Sequence, residues 1–379
     1  MHIVFLTHEY PIVGFPNGGV GTFVQTLGFW LTESGHKVSV VGINNTEDYE
    51  VENHSSLTVY RLPKKNVKGL TWLLQSRSIA KKINELNASN PIDVIEGTEM
   101  AFAFIPKLKG VKYLIRLHGG HHFFAESENR GVNWWKGFQE RRSFKKADAI
   151  IGVSHYVMDH TSRYIDFSKK DKGVFFNPAN LHKFREADLK KEIRNRIFFA
   201  GTVCEKKGIR QLIQAMPIIT ESIPDAELYI AGRDWFFPKT GISYLSYIRT
   251  FIDPCVERSI HFLGPLPNFE IPNQIEMASV CCYPSHMEAM PLSWIEVMAM
   301  GKGFVGSQLG PGPEIIKPGH NGLMCNPLSP EDIANKIIWM LKNKERAVEL
   351  GKNAREFALS NFSLEKIGPK NLELYQSLI

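Results

Sequence analysis

Residues 285–301 read SHMEAMPLSWIEVMAMG, and they decide how the second half of the chain is interpreted. They follow an apolar run at 280–283, typical of a buried strand, and their apolar spacing predicts a helix over 291–300. Pro291 suits the first position of that helix and Gly301 suits its end. The N–H groups at the start of the helix have no partner within it and lie at the positive end of its dipole. The sequence therefore predicts an anion site there, for which a pyrophosphate is a natural occupant.

The same alternation of apolar runs and helical patterns extends over the whole chain in two halves, separated by a turn-rich segment at 173–185. We therefore predict an α/β protein with two Rossmann-like domains, each on a parallel sheet, facing each other across a cleft. The predicted domains are residues 1–180 and 181–361. Strands are predicted at 3–6, 38–42, 94–96, 113–117, 150–153, 196–200, 227–231, 261–263, 280–283 and 303–306. Helices are predicted at 20–34 (closed by Gly35), 70–86, 134–146, 208–219, 291–300 and 330–342 (capped by Ser329).

Length and composition set the class of protein. A chain of 379 residues with 43% hydrophobic and 22% charged residues is typical of a soluble globular protein of two domains. The sequence has no run of 18 uncharged apolar residues, and its start is interpreted as a first strand rather than a signal peptide. The five cysteines are scattered, without a CxxC pair, which favours reduced thiols. We expect a cytoplasmic protein.

The positive charge lies mainly in the first half. Residues 1–180 contain 22 Lys and Arg residues against 17 Asp and Glu residues, which accounts for +5 of the net charge of +6. A basic surface suits an anionic membrane face or a phosphorylated acceptor, and a solvated helical face explains the same excess. A nucleic-acid partner is not expected, because no recognised binding module accompanies the charge.

Two carboxylates flank the predicted anion site. Glu288 stands just outside the helix, and Glu296 lies more than one turn inside it. So placed, they would hold hydroxyl groups at opposite ends of a phosphate-bridged ligand. The alternative is that both are ordinary surface acids.

The spacing of Glu288 and Glu296 resembles the Glu-x7-Glu motif of retaining, GT-B-type glycosyltransferases of family four. The flanking EAMPLS and EVMAMGK sequences are also similar to that family. Further similar segments, in the same order, are THEYP at 7–11, GGVG at 18–21, RLHG at 116–119, ADAIIGVS at 147–154, FLG at 262–264 and GPGPEII at 310–316. The resemblance covers most of the chain. It implies that the last segment, 362–379, is a closing helix that returns to the first domain.

The resemblance implies roles for individual residues. Glu288 would hold the hydroxyls of the donor sugar, and His118 would meet the transferred sugar or the acceptor hydroxyl, so these two are the implied catalytic residues. Glu296 would bind the ribose, and Gly19 would let the opening loop approach the phosphates. The full set of implied donor-binding residues is Gly18, Gly19, Thr202, Lys207, Arg233, Leu266, Met290, Pro291, Leu292 and Glu296.

Thr202 departs from the pattern of the family. The segment FAGTVCEKKG at 199–208 resembles one that usually begins Gly-Arg and ends Lys-Gly, so Lys207 fits the phosphate-binding lysine. Thr202 replaces the arginine, which removes a charge-assisted contact worth about 1.5–3 kcal/mol. Arg233 would supply that charge from the neighbouring loop, or the helix N-terminus would suffice. A weakened or inactive enzyme is the other interpretation.

The expected activity is transfer of a sugar from a nucleotide-sugar donor, with uridine preferred to guanosine, in polysaccharide or glycoconjugate biosynthesis. The acceptor would be a glycan, a lipid-linked molecule or a small molecule, and the resemblance implies retention. Neither a cofactor nor a metal is expected, because the sequence has no Asp-x-Asp and basic groups can neutralise a diphosphate.

The acceptor side is expected in the first domain, bordered by residues 119–124 and 132–136. Trp134 and Trp135, followed by Arg141, Arg142, Lys145 and Lys146, would seat the domain at the inner face of a membrane. A partly buried helix with a basic outer face explains them equally well.

Three other functions are alternatives to glycosyl transfer. An NAD-dependent oxidoreductase would need Gly-x-Gly-x-x-Gly directly after the first strand, and the glycines at 18–21 lie too far from it. A nucleotide-sugar epimerase of the same fold would form its product without an acceptor. A catalytically inactive sugar-nucleotide-binding protein has Thr202 in its favour.

Overall fold

A computed structural model describes residues 1–12, 18–127, 130–238 and 240–379. The chain divides into two compact units. Unit 1 contains residues 1–12, 18–127, 130–178 and 364–379, and unit 2 contains residues 179–238 and 240–363.

The described residues of unit 1 form one eight-stranded sheet. Its strands are β1 (His2–Leu6), β2 (Lys37–Ile43), β3 (Glu50–His54), β4 (Leu57–Leu62), β5 (Val94–Gly97), β6 (Lys112–Leu117), β7 (Ala149–Gly152) and β8 (Asp171–Val174). They lie in the order β3-β4-β2-β1-β5-β6-β7-β8, and every neighbouring pair is parallel except β3 with β4. The sequence did not predict β3, β4 and β8. The two edge strands, β3 and β8, are largely exposed and polar, so they lack the apolar run that marks a buried strand.

Five helices precede the junction with unit 2 in the described part of unit 1. They are α1 (Gly19–Glu33), α2 (Thr71–Ser89), α3 (His121–Ser127), α4 (Trp134–Lys146) and α5 (His155–Ser162). Helix α1 buries Phe23, Val24, Leu27 and Leu31, one stripe of its surface, in a cluster that also includes side chains of β1 and β2. After the last turn of α1, the chain leaves the helix at Gly35, whose φ is 84°, as predicted.

Unit 2 contains a six-stranded parallel sheet within its described residues. Its strands are β9 (Arg196–Ala200), β10 (Glu227–Ala231), β11 (Ile260–Gly264), β12 (Val280–Tyr283), β13 (Phe304–Ser307) and β14 (Leu323–Cys325). They lie in the order β11-β10-β9-β12-β13-β14. The helices are α6 (Ile209–Ser222), α7 (Tyr244–Arg249), α8 (Ile271–Met277), α9 (Leu292–Ala299), α10 (Gly312–Ile315), α11 (Pro330–Lys342) and α12 (Lys344–Phe362). The side chain of Ser329 caps α11 by accepting a hydrogen bond from the N–H of Asp332, as predicted.

The last helix, α13 (Leu364–Leu378), belongs to unit 1. It packs against α1, where a Cβ on Gly368 would lie 2.5 Å from the Trp30 ring, and it places Tyr375 and Leu378 in the unit 1 core. The predicted fold class, α/β with two Rossmann-like domains on parallel sheets, is confirmed. No helix within the described residues has both the length and the apolar character needed to cross a membrane.

Candidate active site

The carboxyl edge of the unit 2 sheet collects predicted donor-binding residues from four neighbouring strands. Thr202 follows β9, Arg233 follows β10, Leu266 follows β11 and Glu288 follows β12. Because these strands are parallel, the loops after them leave the sheet at one edge. The chain order reverses between β9 and β12, and open α/β sheets bind ligands at such a switch point.

Backbone hydrogen bonds hold these loops together. The N–H of Gly232 donates to the carbonyl of Gly264 (2.8 Å), and the N–H of Val203 donates to the carbonyl of Arg233 (2.9 Å). A Cβ on Gly232 would overlap the carbonyl oxygen of Gly201. The loop with Thr202 is therefore bonded directly to the loop with Arg233, whose side chain is exposed.

Lys207 is brought to Glu288 by a tight turn after β9. A single 3₁₀ turn over Glu205–Lys207 ends at Gly208, which has a φ of 71°. A Cβ on Gly208 would overlap the carbonyl oxygen of Pro284, so this close approach requires glycine. It brings the turn against the segment that connects β12 to α9.

Lys207 and Glu288 form an ion pair across the switch point. The Lys207 ammonium donates to the Glu288 carboxylate, and the two side chains are 20% and 14% exposed. Each charge compensates the other in a partly desolvated position. A bound anion would compete with Glu288 for the lysine.

Glu205 stiffens the turn that carries Lys207. Burial alone would raise the pKa of Glu205, but hydrogen bonds from Arg210, Tyr244 and Gln211 lower it to about 2. This carboxylate therefore stays ionised and fixes the turn from the side of helix α6.

Helix α9 begins at Leu292, one residue later than predicted. Pro291 precedes it as the N-cap residue with a ψ of 108°, because the chain arrives from β12 in an extended conformation. No side chain of the described residues caps this helix. Its first N–H groups, at the end of the segment that includes Met290 and Glu288, are arranged to receive an anion.

Glu296 is the fifth residue of α9 and is partly buried. Burial raises the pKa of Glu296 to about 7, and the positive charge of Lys183 opposes that rise. Within the part of the chain that the structure describes, no side chain or backbone group donates a hydrogen bond to this carboxylate. A ligand hydroxyl would supply the missing donor.

The corresponding edge of unit 1 contains His118, Gly18 and Gly19. His118 follows β6, and the two glycines open α1 after β1, with β5 between these two strands in the sheet. Gly19 is exposed, and a Cβ on Gly18 would overlap the Glu9 carboxylate. Gly19 therefore leaves backbone uncovered at the switch point between β1 and β5, while Gly18 lies against the Glu9 side chain.

His118 lies against the core of unit 1. Its ring centre is 5.5 Å from that of Phe23, and burial, with the nearby positive charge of Arg116, lowers the pKa of His118 to about 3. The ring is therefore neutral at physiological pH, and it can donate or accept a hydrogen bond but not supply a positive charge.

Sequence reasoning missed two buried carboxylates beside His118. Glu99, after β5, is 4% exposed, and Glu140, in α4, is 1% exposed. Both accept hydrogen bonds from backbone N–H groups of the segment 118–122. An acid in the loop between strands β5 and β6 and an acid in a polar helix follow no periodic pattern, so only burial identifies them.

The residues expected to border the acceptor site divide into buried and exposed groups. His121, His122 and Phe123 are buried within unit 1. Trp134 is 72% exposed, whereas Trp135 stacks on Phe104 with ring centres 5.6 Å apart. Of the basic residues that follow, Arg142 and Lys146 donate to backbone carbonyls of Ala103 and Ile105, while Arg141 and Lys145 are exposed.

A cavity of about 420 Å³ lies at the opposite edge of the unit 2 sheet. Its charged wall contains Glu192, which pairs with Lys302 (3.0 Å) and Lys344 (3.1 Å). The single acid pairs with both lysines, and the cavity lies at the amino ends of the strands, away from Lys207 and Glu288. We assign this cluster a structural role.

Comparison with known proteins identifies the family. The profile of Glycosyl transferases group 1 matches residues 182–357, and that of Glycosyltransferase Family 4 matches residues 17–183. An uncharacterized glycosyltransferase of Methanocaldococcus jannaschii is 25% identical over 344 residues, which cover 88% of each chain.

Two solved structures are similar in fold. Sucrose-phosphate synthase from Thermosynechococcus elongatus has a TM-score of 0.86 at 20% identity, over 100% of this chain and 98% of its own. HepE from Anabaena in complex with UDP-glucose has a TM-score of 0.78 at 16% identity, over the full length of both chains. The two matched profiles together span almost the whole sequence, and the chain belongs to the family-four, group 1 glycosyltransferases of the GT-B fold class.

Proposed function

We propose that this glycosyltransferase transfers a sugar from a UDP-sugar to a glycan, lipid-linked or small-molecule acceptor with retention of anomeric configuration. The Lys207–Glu288 pair, at the switch point of the unit 2 sheet and beside the free start of α9, carries the proposal. In this proposal Lys207 would be the cation for the diphosphate, and the adjacent Glu288 would be the carboxylate for the sugar hydroxyls.

The proposed chemistry is electrostatic. As the bond between the anomeric carbon and the phosphate oxygen breaks, positive charge develops on the sugar and negative charge on the diphosphate. Lys207, the first N–H groups of α9 and Arg233 would stabilise the leaving diphosphate, so no metal is required in this proposal. Arg233 compensates for Thr202, since the two loops are bonded through Val203.

Donor binding would rearrange the ion pair. A diphosphate that takes the Lys207 ammonium releases the Glu288 carboxylate to accept hydrogen bonds from the sugar. At the other end of the donor, Glu296 would accept from the ribose hydroxyls, which provide the donors that its carboxylate lacks. Met290, Pro291, Leu292 and Leu266 would line the path between the two carboxylates.

Retention would result from attack of the acceptor hydroxyl on the same face from which the diphosphate leaves, with the leaving oxygen taking the proton. His118 would hold a sugar hydroxyl by a neutral hydrogen bond, consistent with its lowered pKa. Gly18 and Gly19 would let the diphosphate approach the backbone. The preference for uridine is supported by HepE, which has this fold and was solved with UDP-glucose.

We also propose that unit 1 contacts the inner face of an anionic membrane through an apolar ridge. Val67 (44% exposed), Leu70 (49%), Val132 (42%) and Trp134 (72%) form this ridge. An aromatic chain joins its two parts, since the rings of Trp72 and Trp135 are 5.3 Å apart and those of Trp135 and Trp134 are 6.1 Å apart. Exposed lysines flank it at positions 64, 65, 68 and 136. Apolar side chains surrounded by lysines favour an anionic lipid surface.

Cosedimentation with vesicles tests the ridge. The protein should bind phosphatidylglycerol vesicles and not phosphatidylcholine vesicles, and Trp134→Ser should weaken binding. Phe269→Ser in unit 2 is a matched control, because Phe269 is 73% exposed. Equal losses in the two variants, or binding that ignores lipid charge, would rule out the ridge.

A donor panel and two variants test the transfer reaction. Thermal shifts with UDP- and GDP-sugars, with and without magnesium, identify the donor, and product analysis gives the anomeric configuration. Lys207→Ala and Glu288→Ala should each lower turnover by about ten- to a hundredfold, since each removes a charge-assisted contact. Lys352→Ala and Glu356→Ala, exposed on α12, are the controls. Wild-type turnover in a folded Lys207→Ala or Glu288→Ala variant would remove the assignment.

Thr202 supports one rival function, a catalytically inactive protein that binds sugar nucleotides. Binding of a UDP-sugar without transfer to any acceptor would favour it, and product formed without an acceptor would indicate an epimerase. Thr202→Arg distinguishes the rival from a weakened enzyme, because restoring the charge should increase the turnover of an active enzyme only.

A further inference from the structure

We infer that Glu99 and Glu140 are positioning residues that hold the 118–122 segment from two sides and thereby fix His118 for the transfer reaction. We call the pair the carboxylate clamp. The inference rests on the proposed function in assigning His118 to the transferred sugar, whereas the clamp itself is a matter of hydrogen bonds in unit 1.

Glu99 holds the beginning of the segment. Its Oε1 atom accepts hydrogen bonds from the backbone N–H groups of His118 (2.7 Å) and Gly119 (2.8 Å). These are the N–H groups directly after β6, where the strand ladder ends and the chain turns away. Glu99 comes from the loop after the neighbouring strand β5, so the two loops are fixed to each other at the carboxyl edge.

Glu140 holds the end of the segment. Its carboxylate accepts hydrogen bonds from the N–H groups of His121 and His122 (the latter 3.2 Å) and pairs with Nδ1 of the His122 ring. Because Glu140 projects from α4, it anchors the first turn of α3, which His121 and His122 begin, to a second helix.

Gly120 lies between the two carboxylates. A Cβ on this residue would overlap Oε1 of Glu140 and lie 2.9 Å from Cγ of Glu99. Gly119 has a φ of 95°, a conformation that other residues rarely adopt. The two glycines therefore let the chain pass between two acids that would otherwise be too close to it.

Burying two acids near each other lowers the stability of the folded state, so their presence here indicates a role that offsets this loss. Burial raises the pKa of Glu99 to about 8, and the charge of Glu140 adds to the rise, while the N–H groups of His118 and Gly119 oppose it. Neither side chain is exposed enough to touch a large substrate. Their partners are the amides around His118, and a catalytic side chain must be held to within about 0.5 Å of its working position.

Substitution of Glu99 separates positioning from packing. Both N–H groups donate to the side-chain oxygen of Glu99, so Glu99→Gln keeps an oxygen acceptor for them, whereas Glu99→Ala removes it. Loss of hydrogen bonds to a buried acid should speed amide exchange at His118 and Gly119 by about tenfold or more. Glu99→Ala should lower kcat by a similar factor with little change in the donor KM, and Glu99→Gln should restore most of both.

The measurements are hydrogen–deuterium exchange of peptides that cover 114–124 and steady-state kinetics on the full chain, with Glu33→Ala, an exposed residue at the end of α1, as control.

If Glu99→Ala does not fold, Glu99→Gln is compared with Gly120→Ala, which should displace the segment and lower kcat. Unchanged exchange in Glu99→Ala or Gly120→Ala would disprove the clamp. Faster exchange with unchanged kcat would disprove positioning. A wild-type protein without transferase activity would overturn the proposed function, and the exchange result would still decide the clamp.

Discussion

Glu288 and Glu296 lie eight residues apart around the start of α9, but their charge environments differ. Glu288 stands before α9 and is compensated by Lys207, while Glu296 lies inside the helix, partly buried and without a hydrogen-bond donor among the described residues. In the proposed reaction, Glu288 would exchange Lys207 for the hydroxyls of the donor sugar. The ionised form of Glu296 is destabilised by burial until a ligand hydroxyl donates a hydrogen bond to it.

Glu296→Gln should change the pH dependence of stability. Burial raises the pKa of Glu296 to about 7, above the roughly 4.3 of an unfolded chain, so the folded state binds the proton more tightly. Wild-type stability should therefore fall as the pH rises from about 4.5 to 7, and Glu296→Gln should lack that decline. Urea unfolding at pH 5 and pH 8, with Glu356→Gln as control, measures the difference.

The same variant should weaken nucleotide binding at pH 8 by about tenfold or more, because the neutral amide is a poorer acceptor for hydroxyls than the carboxylate. Calorimetric titration with UDP checks this. A variant that is destabilised at pH 8, or binds UDP as well as the wild type, would contradict the assigned role.

At the scale of elements, the position of one turn forms the Lys207–Glu288 pair of the proposed donor site. The 3₁₀ turn after β9 approaches the end of β12 so closely that Gly208 has no room for a Cβ beside Pro284. Lys207 precedes Gly208, and Glu288 follows Pro284 by four residues. The ion pair therefore depends on how near two loops of one sheet edge come to each other.

Gly208→Ala should cost more than the left-handed conformation alone explains. Gly319 has nearly the same φ (72° against 71°), but a Cβ there would meet no atom within 4 Å, so Gly319→Ala isolates the backbone strain of about 1–2 kcal/mol. Gly208→Ala should add the overlap with Pro284 and lower turnover. Urea unfolding and donor turnover of both variants are the readouts, and equal effects would mean that the close approach is unimportant.

At the scale of the whole molecule, a buried polar cluster joins the last helix to the sheet of unit 1. Arg116 of β6 donates to Glu96 of β5 (2.7 Å) and to Asn371 of α13 (2.6 Å), and the hydroxyl of Tyr375 donates to Glu96 (2.7 Å). Arg116 belongs to the RLHG segment at 116–119, in which the resemblance gives a role to His118. In the structure this arginine attaches the last helix.

Removing one member of this cluster should loosen α13. Arg116→Met leaves Glu96 buried without its cation and should cost about 3–5 kcal/mol of unfolding free energy. Tyr375→Phe removes only one hydrogen bond to a charged group and should cost about 1.5–3 kcal/mol. Tyr247→Phe, at an exposed position, should change stability little. Urea unfolding and protease cleavage within 364–379 measure both effects, and an uncleaved, fully stable Arg116→Met protein would refute this role.

The sequence by itself determined the two parallel-sheet domains, because buried parallel strands and amphipathic helices leave apolar patterns that are local in the chain. It also identified Glu288, Glu296 and Lys207, because they lie in short motifs whose spacing along the chain resembles that of the family. Only the tertiary structure decided the edge strands β3 and β8, the pairing of Lys207 with Glu288, the role of Arg116 and the clamp at Glu99 and Glu140. Strand β3 pairs with its neighbour β4 but lacks an apolar pattern. The others depend on contacts between segments tens to hundreds of residues apart, which packing decides and no local pattern records.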